Sequence, residues 1–154
     1  MKINVLDSYE ALSEEAGAVV IRELQRKKNL LLCAATGGSP GGTYSVLIKE
    51  YRREPELFAG IQIIKLDEWG GVPMEAPGTC ESYLQEHLIK PLRIDDTRYV
   101  SFCSNPDDPV AECSRIQDQL DKLGGIDICI VGLGMNGHIA LNEPADFLKP
   151  DIHV

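Results

Sequence analysis

Leu30-Leu31-Leu32-Cys33-Ala34-Ala35 is an unbroken apolar run, and Thr36-Gly37-Gly38-Ser39-Pro40-Gly41-Gly42-Thr43 follows it without a gap. A run without alternation suits a strand covered on both faces, as in a parallel sheet. The segment after it reads as a turn in which a helix begins, carrying Tyr44, Val46, Leu47 and Ile48. Upstream, Ile3 and Val5 alternate with polar neighbours and predict a short first strand. Asp7 with Glu10 reads as a capping box. Leu12, Ala16, Val19, Val20 and Leu24 then recur at helical spacing, and Arg26, Lys27 and Lys28 sit at the helix's negative end. Downstream, a second strand is predicted from Ile61 to Leu66, ending at Asp67. Residues 67–78, with Gly70, Gly71, Pro73 and Pro77, form a loop. Thr79 caps a helix that buries Tyr83, Leu84 and Leu88 and stops before Pro91. A third strand spans Tyr99 to Phe102. Asn105-Pro106 starts a helix with the apolar stripe Val110, Cys113, Ile116, Leu120 and Leu123, which Gly124-Gly125 ends. Ile126 to Val131 is a further strand, and the glycine-rich segment 132–138 is its loop.

Strands alternating with helices specify an α/β architecture, three-layer and modified Rossmann-like: a mainly parallel sheet with helices on both faces. No internal repeat or low-complexity linker interrupts the pattern, so 1–154 reads as one domain. With 44% hydrophobic and 25% charged residues the composition is globular and argues against disorder. Fifteen Lys and Arg against 24 Asp and Glu leave a formal charge of −9. Such a chain repels nucleic acid and anionic membrane surfaces, and neither is expected as a partner. No apolar run approaches the ~20 residues of a membrane span, and the N-terminal pattern is that of a polar helix rather than a signal peptide. Cys33, Cys80, Cys103, Cys113 and Cys129 are odd in number and show no C-x-x-C spacing. That fits reduced thiols in a cytoplasmic protein and gives no support to a disulfide framework or zinc knuckle. The chain stops at Asp151-Ile152-His153-Val154 with no helix after its last glycine-rich loop. Either the sheet is small with an exposed edge, or the natural protein continues.

In a parallel α/β sheet, ligands bind at the carboxyl ends of the strands. Three features fall there: the 36–43 loop, Asp67-Glu68, and the 132–143 segment. Glycines let backbone N–H groups turn toward a ligand, and the following helix presents its positive end, so the first loop suits a phosphate. No Lys or Arg lies between Lys28 and Lys49, which leaves N–H and hydroxyl donors to hold it. The loop is neither a Walker motif nor G-x-G-x-x-G, and a plain strand-to-helix turn would look the same. Asp67 can serve as a general base if burial or a neighbour tunes it, or Asp67-Glu68 can be a cap or solvated turn. Trp69 walls a pocket or packs in the core, the latter being the commoner role. His138 suits proton transfer near neutral pH, and Glu143 follows close enough to orient it. A zinc site would need further ligands. His87 and His153 lie far off in sequence without paired ligands, so no metal is expected.

Ala35-Thr36-Gly37-Gly38-Ser39-Pro40, then Lys65-Leu66-Asp67-Glu68-Trp69, then Gly132-Leu133-Gly134-Met135-Asn136-Gly137-His138-Ile139-Ala140-Leu141-Asn142-Glu143-Pro144, in that order, resemble the glucosamine-6-phosphate deaminase/isomerase family. The 6-phosphogluconolactonases are its more distant relatives. The resemblance covers nearly the whole chain. Lys65 to Trp69, with Pro77-Gly78-Thr79-Cys80-Glu81 after it, looks closest to the galactosamine-6-phosphate deaminase/isomerase branch; the glucosamine branch usually has Asp-Glu-Tyr. The resemblance implies an aldose–ketose isomerisation coupled to deamination, without a cofactor. Galactosamine 6-phosphate would give tagatose 6-phosphate and ammonia, and glucosamine 6-phosphate would give fructose 6-phosphate. It implies Asp67 as the base that moves a proton between C2 and C1, and His138, helped by Glu143, as the group that opens the sugar ring. Asn136 stands where the glucosamine enzymes have Asp and reads as a branch marker at the catalytic site. Gly37, Gly38, Ser39 and Thr43 would belong to a phosphate cradle, with Thr36 and Glu68 as further substrate-binding residues. The resemblance further implies a small-molecule sugar phosphate as partner and a homo-oligomer as one assembly open to the chain. It implies too that these residues are the earlier part of a longer enzyme. The alternatives at this stage are the glucosamine epimer, 6-phosphogluconolactone hydrolysis, and a non-catalytic sugar-phosphate-binding regulator or inactive fragment.

Overall fold

The computed structural model describes residues 2–154. Helix α1 spans Tyr9–Arg26, strand β1 Leu31–Ala34, helix α2 Gly38–Arg53, strand β2 Gln62–Lys65 and helix α3 Cys80–Leu84, which runs on into a wider π turn at Gln85–Ile89. Strand β3 is Tyr99–Val100, helix α4 Pro109–Leu123 and strand β4 Ile128–Cys129. The four strands are parallel and lie in the order β3-β2-β1-β4. The chain therefore builds outward from β1 through β2 to β3 and then returns to the other side of β1. The order reverses between β1 and β4, and in open α/β sheets that reversal opens a crevice at the strands' carboxyl ends.

The apolar run of β1 divides by strand period between two faces. Leu32 and Ala34 join Val20, Leu24, Tyr44, Leu47, Phe58, Ile63, Leu84 and Leu88 in the larger core on one face. Leu31 and Cys33 turn to the other face, with Ile64 and Ile116, where α4 adds Leu120 and Leu123. These are the expected three layers, with helices on both faces of a parallel sheet.

Several local expectations shift. Ile3 and Val5 form no strand, and Val5 is 90% exposed; alternation makes a strand only where a neighbouring edge supplies hydrogen bonds. Ser8, not Asp7, caps α1, its Oγ accepting the Ala11 N–H at 3.1 Å. The buried stripe of α1 is Ser13, Gly17, Val20 and Leu24, while Leu12 and Val19 are exposed. Small residues set this stripe because α1 and α2 cross closely: a Cβ at Gly17 would strike Val46, and one at Gly42 would strike Ser13. Helix α4 starts at Pro109 rather than at Asn105-Pro106, because the Asp108 carboxylate caps the amides of Val110 and Ala111. Val110 then faces solvent. The ladders are shorter than the apolar runs; past Val100 the chain leaves the sheet as the Phe102 carbonyl accepts from Lys65 Nζ. Thr79 caps α3 as expected, its hydroxyl accepting the Ser82 N–H. Among the described residues, no helix is long and apolar enough to cross a membrane.

Candidate active site

At the reversal point, a cleft of about 320 Å³ opens over the carboxyl ends of β1, β2 and β4. Thr36 and Ser39 line it from the β1 side, Asp67 and Trp69 from beyond β2, Cys80 from α3, and Gly132 to Gly134 with His138 from beyond β4. The three sequence features thus meet in one place. A larger depression of about 710 Å³ lies against α3. Glu75, Glu81 and Glu86 line it against one Lys90, which disfavours an anionic substrate there.

Tyrosine hydroxyls shape the first loop. Tyr44 donates to the Ala35 carbonyl at 2.6 Å, Tyr83 to the Gly37 carbonyl at 2.5 Å, and Tyr9 to the Gly38 carbonyl at 2.7 Å. The Gly42 N–H in turn donates to the Tyr9 oxygen at 2.7 Å. With these carbonyls tied back, the chain passes Gly37 at φ 110°, a conformation that favours glycine, and enters α2. Among the described residues no side chain caps that helix, so its first-turn N–H groups, beside Thr36 and Ser39, stay open to an anion. Thr43 lies deeper in α2, buried and outside the cleft lining.

Asp67 and Glu68, adjacent in sequence, part company in space. Burial pushes the Asp67 carboxyl above the ordinary aspartate range; the Cys80 thiol, donating to Oδ1 at 3.6 Å, pulls the other way. The Cys80 sulfur itself accepts from the Thr36 hydroxyl at 3.4 Å. Glu68 is committed elsewhere. Its oxygens accept the Lys65 ammonium at 2.6 Å and the N–H groups of Trp69, Cys80 and Glu81 at 2.8–2.9 Å. Burial raises its pKa, but Lys65 and these N–H groups outweigh that and hold the carboxyl low. Glu68 is thus a clasp between β2 and the start of α3, and it does not line the cleft. Lys65, 1% exposed, also meets Glu81 Oε2 at 2.9 Å, which accepts from Ser101 and Tyr99 as well. Trp69 is no core residue: it is 54% exposed at the cleft.

Beyond β4, the Gly134 N–H donates to the His138 carbonyl and the Gly137 N–H to that of Gly134, both at 2.9 Å, closing a tight turn. The imidazole lies over Gly134, where any Cβ would strike it. Glu143, expected to orient His138, acts on it through Asn136, which stands between the two. Asn136 Nδ2 donates to Glu143 Oε2 at 2.8 Å, while its Oδ1 accepts the His138 backbone N–H at 3.1 Å and faces Nδ1 at 2.7 Å. The carboxylate and the backbone N–H together fix the amide's orientation. Nδ1 must then be the donor, which leaves Nε2 of the neutral ring as the free acceptor. Lys65, Glu81, Cys80 and the tyrosines were not predicted as parts of this site. Only the place of Cys80 next to the Thr79 cap was readable, since, Lys65–Glu68 apart, the contacts that tie these residues in span 9 to 46 residues.

A family model for glucosamine-6-phosphate isomerases/6-phosphogluconolactonase matches residues 7–141. The chain is 37% identical to AgaI of Escherichia coli (strain K12), a deaminase by name, over 97% of its own length and 59% of that protein's. It is 34% identical to glucosamine-6-phosphate deaminase 1 of Bacillus subtilis (strain 168), covering 100% of itself and 64% of that enzyme. A solved monomeric glucosamine-6-phosphate deaminase superposes with a TM-score of 0.88 at 35% identity, over 94% of this chain and 60% of that one. The 6-phosphogluconolactonase of Trypanosoma brucei, at 18% identity and a TM-score of 0.72, shares the fold. The chain spans less than two thirds of the length of the deaminases it matches. The match runs through the first loop, Asp67 and His138, the residues that the fold gathers on one cleft. The chain belongs to the family of glucosamine-6-phosphate isomerases and 6-phosphogluconolactonases.

Proposed function

We propose that this cleft is the site of an aldose–ketose isomerase/deaminase that converts galactosamine 6-phosphate to tagatose 6-phosphate and ammonia. The observation that carries the reading is a burial-raised carboxylate, Asp67, on the same cleft as a histidine whose Nε2 is left free by Asn136. Relatives named glucosamine-6-phosphate deaminases support the amino-sugar phosphate class. The resemblance of Lys65 to Trp69 and Pro77 to Glu81 to the galactosamine branch supports the epimer.

The phosphate sits at the open first turn of α2, held by the Gly38 and Ser39 N–H groups and the hydroxyls of Thr36 and Ser39. Gly37 supplies the turn that aims them. His138 Nε2 takes the proton of the anomeric hydroxyl and passes it to the ring oxygen as the bond from C1 to that oxygen breaks, and the hemiacetal opens to the aldehyde. Asp67 removes the C2 proton, and the electron pair forms a C1–C2 double bond while the aldehyde oxygen takes a proton from water. The same carboxylic acid returns its proton to C1, leaving an iminium at C2. One carboxylate serves both transfers because C1 and C2 present one face of a planar intermediate to it. Water adds at C2, the C–N bond breaks, and ammonia leaves the ketose behind. Glu143, through Asn136, keeps the histidine in the tautomer that the first step needs.

Ammonia release from galactosamine 6-phosphate and glucosamine 6-phosphate, measured side by side with an Asp67→Asn control, tests the proposal. The expected result is faster release from the galactosamine compound, abolished in the control. The reverse preference would move the substrate to the glucosamine epimer, and release from neither would remove the deaminase reading.

A further inference from the structure

The function proposed above gives no part to Cys80, although its thiol is buried against Asp67. Cys80 is the first residue of α3, and its position is fixed from three sides. Its N–H donates to Glu68 Oε1 at 2.9 Å, the Thr36 hydroxyl donates to its sulfur at 3.4 Å, and its thiol donates to Asp67 Oδ1 at 3.6 Å. The donor direction is set by chemistry. An ionised carboxylate only accepts, so the proton between sulfur and Asp67 belongs to sulfur, and the sulfur's lone pair is left to accept from Thr36. Burial pushes the thiol up to about 11, which keeps that proton in place at neutral pH.

We infer that Cys80 is a positioning residue for Asp67: its thiol pins Oδ1 from the α3 side and stabilises the ionised carboxylate, leaving Oδ2 to face the reacting carbons. The inference rests on the reading of Asp67 as the base. Other groups within electrostatic reach of Asp67 are Lys65 and Glu68 from the β2 side, Cys33 on β1, Cys129 on β4, Tyr44 on α2 and, across the cleft, His138. Lys65 favours the ionised form and Glu68 disfavours it, both through charge alone, whereas Cys80 supplies a hydrogen bond to the carboxylate. The arrangement also couples the two ends of the cleft. Thr36, beside the open turn of α2, and Asp67 bond to the same sulfur, so ligand at the first loop bears on the orientation of the base.

The test is the titration of the Asp67 side-chain carbon by ¹³C NMR in the wild-type chain, Cys80→Ala and Cys80→Ser, read beside the pH profile of ammonia release. Loss of one hydrogen bond to a charged group raises the carboxyl's titration by about one pH unit in Cys80→Ala. The acid limb of the profile moves up with it, and Cys80→Ser, which keeps a donor, restores most of the shift. The infrared S–H stretch of Cys80, isolated by subtracting the Cys80→Ala spectrum, gives a second reading without substituting the thiol in the protein observed. A thiol bonded to a carboxylate shifts its band when Asp67→Asn removes the charge. An Asp67 titration unchanged in Cys80→Ala, or an S–H band indifferent to Asp67→Asn, would overturn the inference and leave Cys80 as packing. A shifted titration with no ammonia release from any variant would instead overturn the deaminase reading while supporting the hydrogen bond.

Discussion

Asp67, Asn136 and Gly134 each carry a consequence that one substitution reads out. Because burial raises the Asp67 carboxyl, the acid limb of kcat/KM falls above the ~3.9 of a free aspartate, and activity rises with pH as that carboxyl ionises. Asp67→Asn keeps the shape and removes the base, at a cost of about 10²- to 10⁴-fold in kcat. Asn136→Ala cuts the link between Glu143 and His138 and frees the imidazole to rotate or change tautomer. A misplacement of this kind costs about 10²-fold, and ¹⁵N shifts of the His138 ring report the loss of a fixed Nδ1–H. Gly134→Ala places a methyl group where the imidazole lies, so turnover is lost while the thermal midpoint barely moves, since the turn is on the surface. Roles at this scale were only partly legible. Asp67 and His138 stand out as titratable residues at strand ends, but nothing local shows that Glu68 turns inward while its neighbour faces the cleft. The difference arises because the N–H groups of Cys80 and Glu81 lie within reach of one side chain and not the other.

The contacts that hold the site are made between elements. Lys65, with a side chain 0% exposed, is satisfied among the described residues by Glu68, Glu81 and the Phe102 carbonyl, and so joins β2 to α3 and to the chain after β3. Lys65→Met leaves two buried carboxylates without their cation, a loss of about 3–5 kcal/mol expected in urea unfolding. Burial opposes ionisation of both glutamates, yet their hydrogen-bond partners and Lys65 hold both carboxyls below the ordinary glutamate value. Their stabilisation is therefore fully present above the unfolded value of ~4.3 and is lost as pH falls through the lower folded values. Urea midpoints should drop across that window in the wild type and less so in Glu68→Gln. On the same face of the sheet, Gly17→Ala drives a methyl group into Val46 and separates α1 from α2. Overpacking of this kind costs about 1–3 kcal/mol, read as a lower thermal midpoint. The helices were legible from their periodicity, but this crossing was not: the α1 stripe uses Ser13 and Gly17, which a search for apolar residues passes over in favour of the exposed Leu12 and Val19.

The strand order puts the chemistry together. With β1 and β4 adjacent and β2 beyond β1, the 36–43 loop, Asp67 and His138 rise from neighbouring carboxyl ends onto one cleft, although 102 residues separate Thr36 from His138. The parallel α/β class was legible because β1 is apolar on both faces, as only a doubly covered strand needs to be. The strand order was not, because pairing between β1 and β4 is a long-range choice that no local pattern encodes. The central claim is that Asp67 moves a proton between C2 and C1 of an amino-sugar phosphate in this cleft. The most direct measurement is deuterium incorporation in heavy water, with substrate and product analysed by NMR after partial turnover of galactosamine 6-phosphate by the wild-type chain and by Asp67→Asn. The account predicts that the new C1 hydrogen of the tagatose 6-phosphate formed by the wild-type chain is the one taken from C2, diluted by deuterium only as far as the Asp67 carboxylic acid exchanges with heavy water, with neither product nor exchange at C2 of the substrate in Asp67→Asn. Exchange or product formation at the wild-type rate in Asp67→Asn would contradict it.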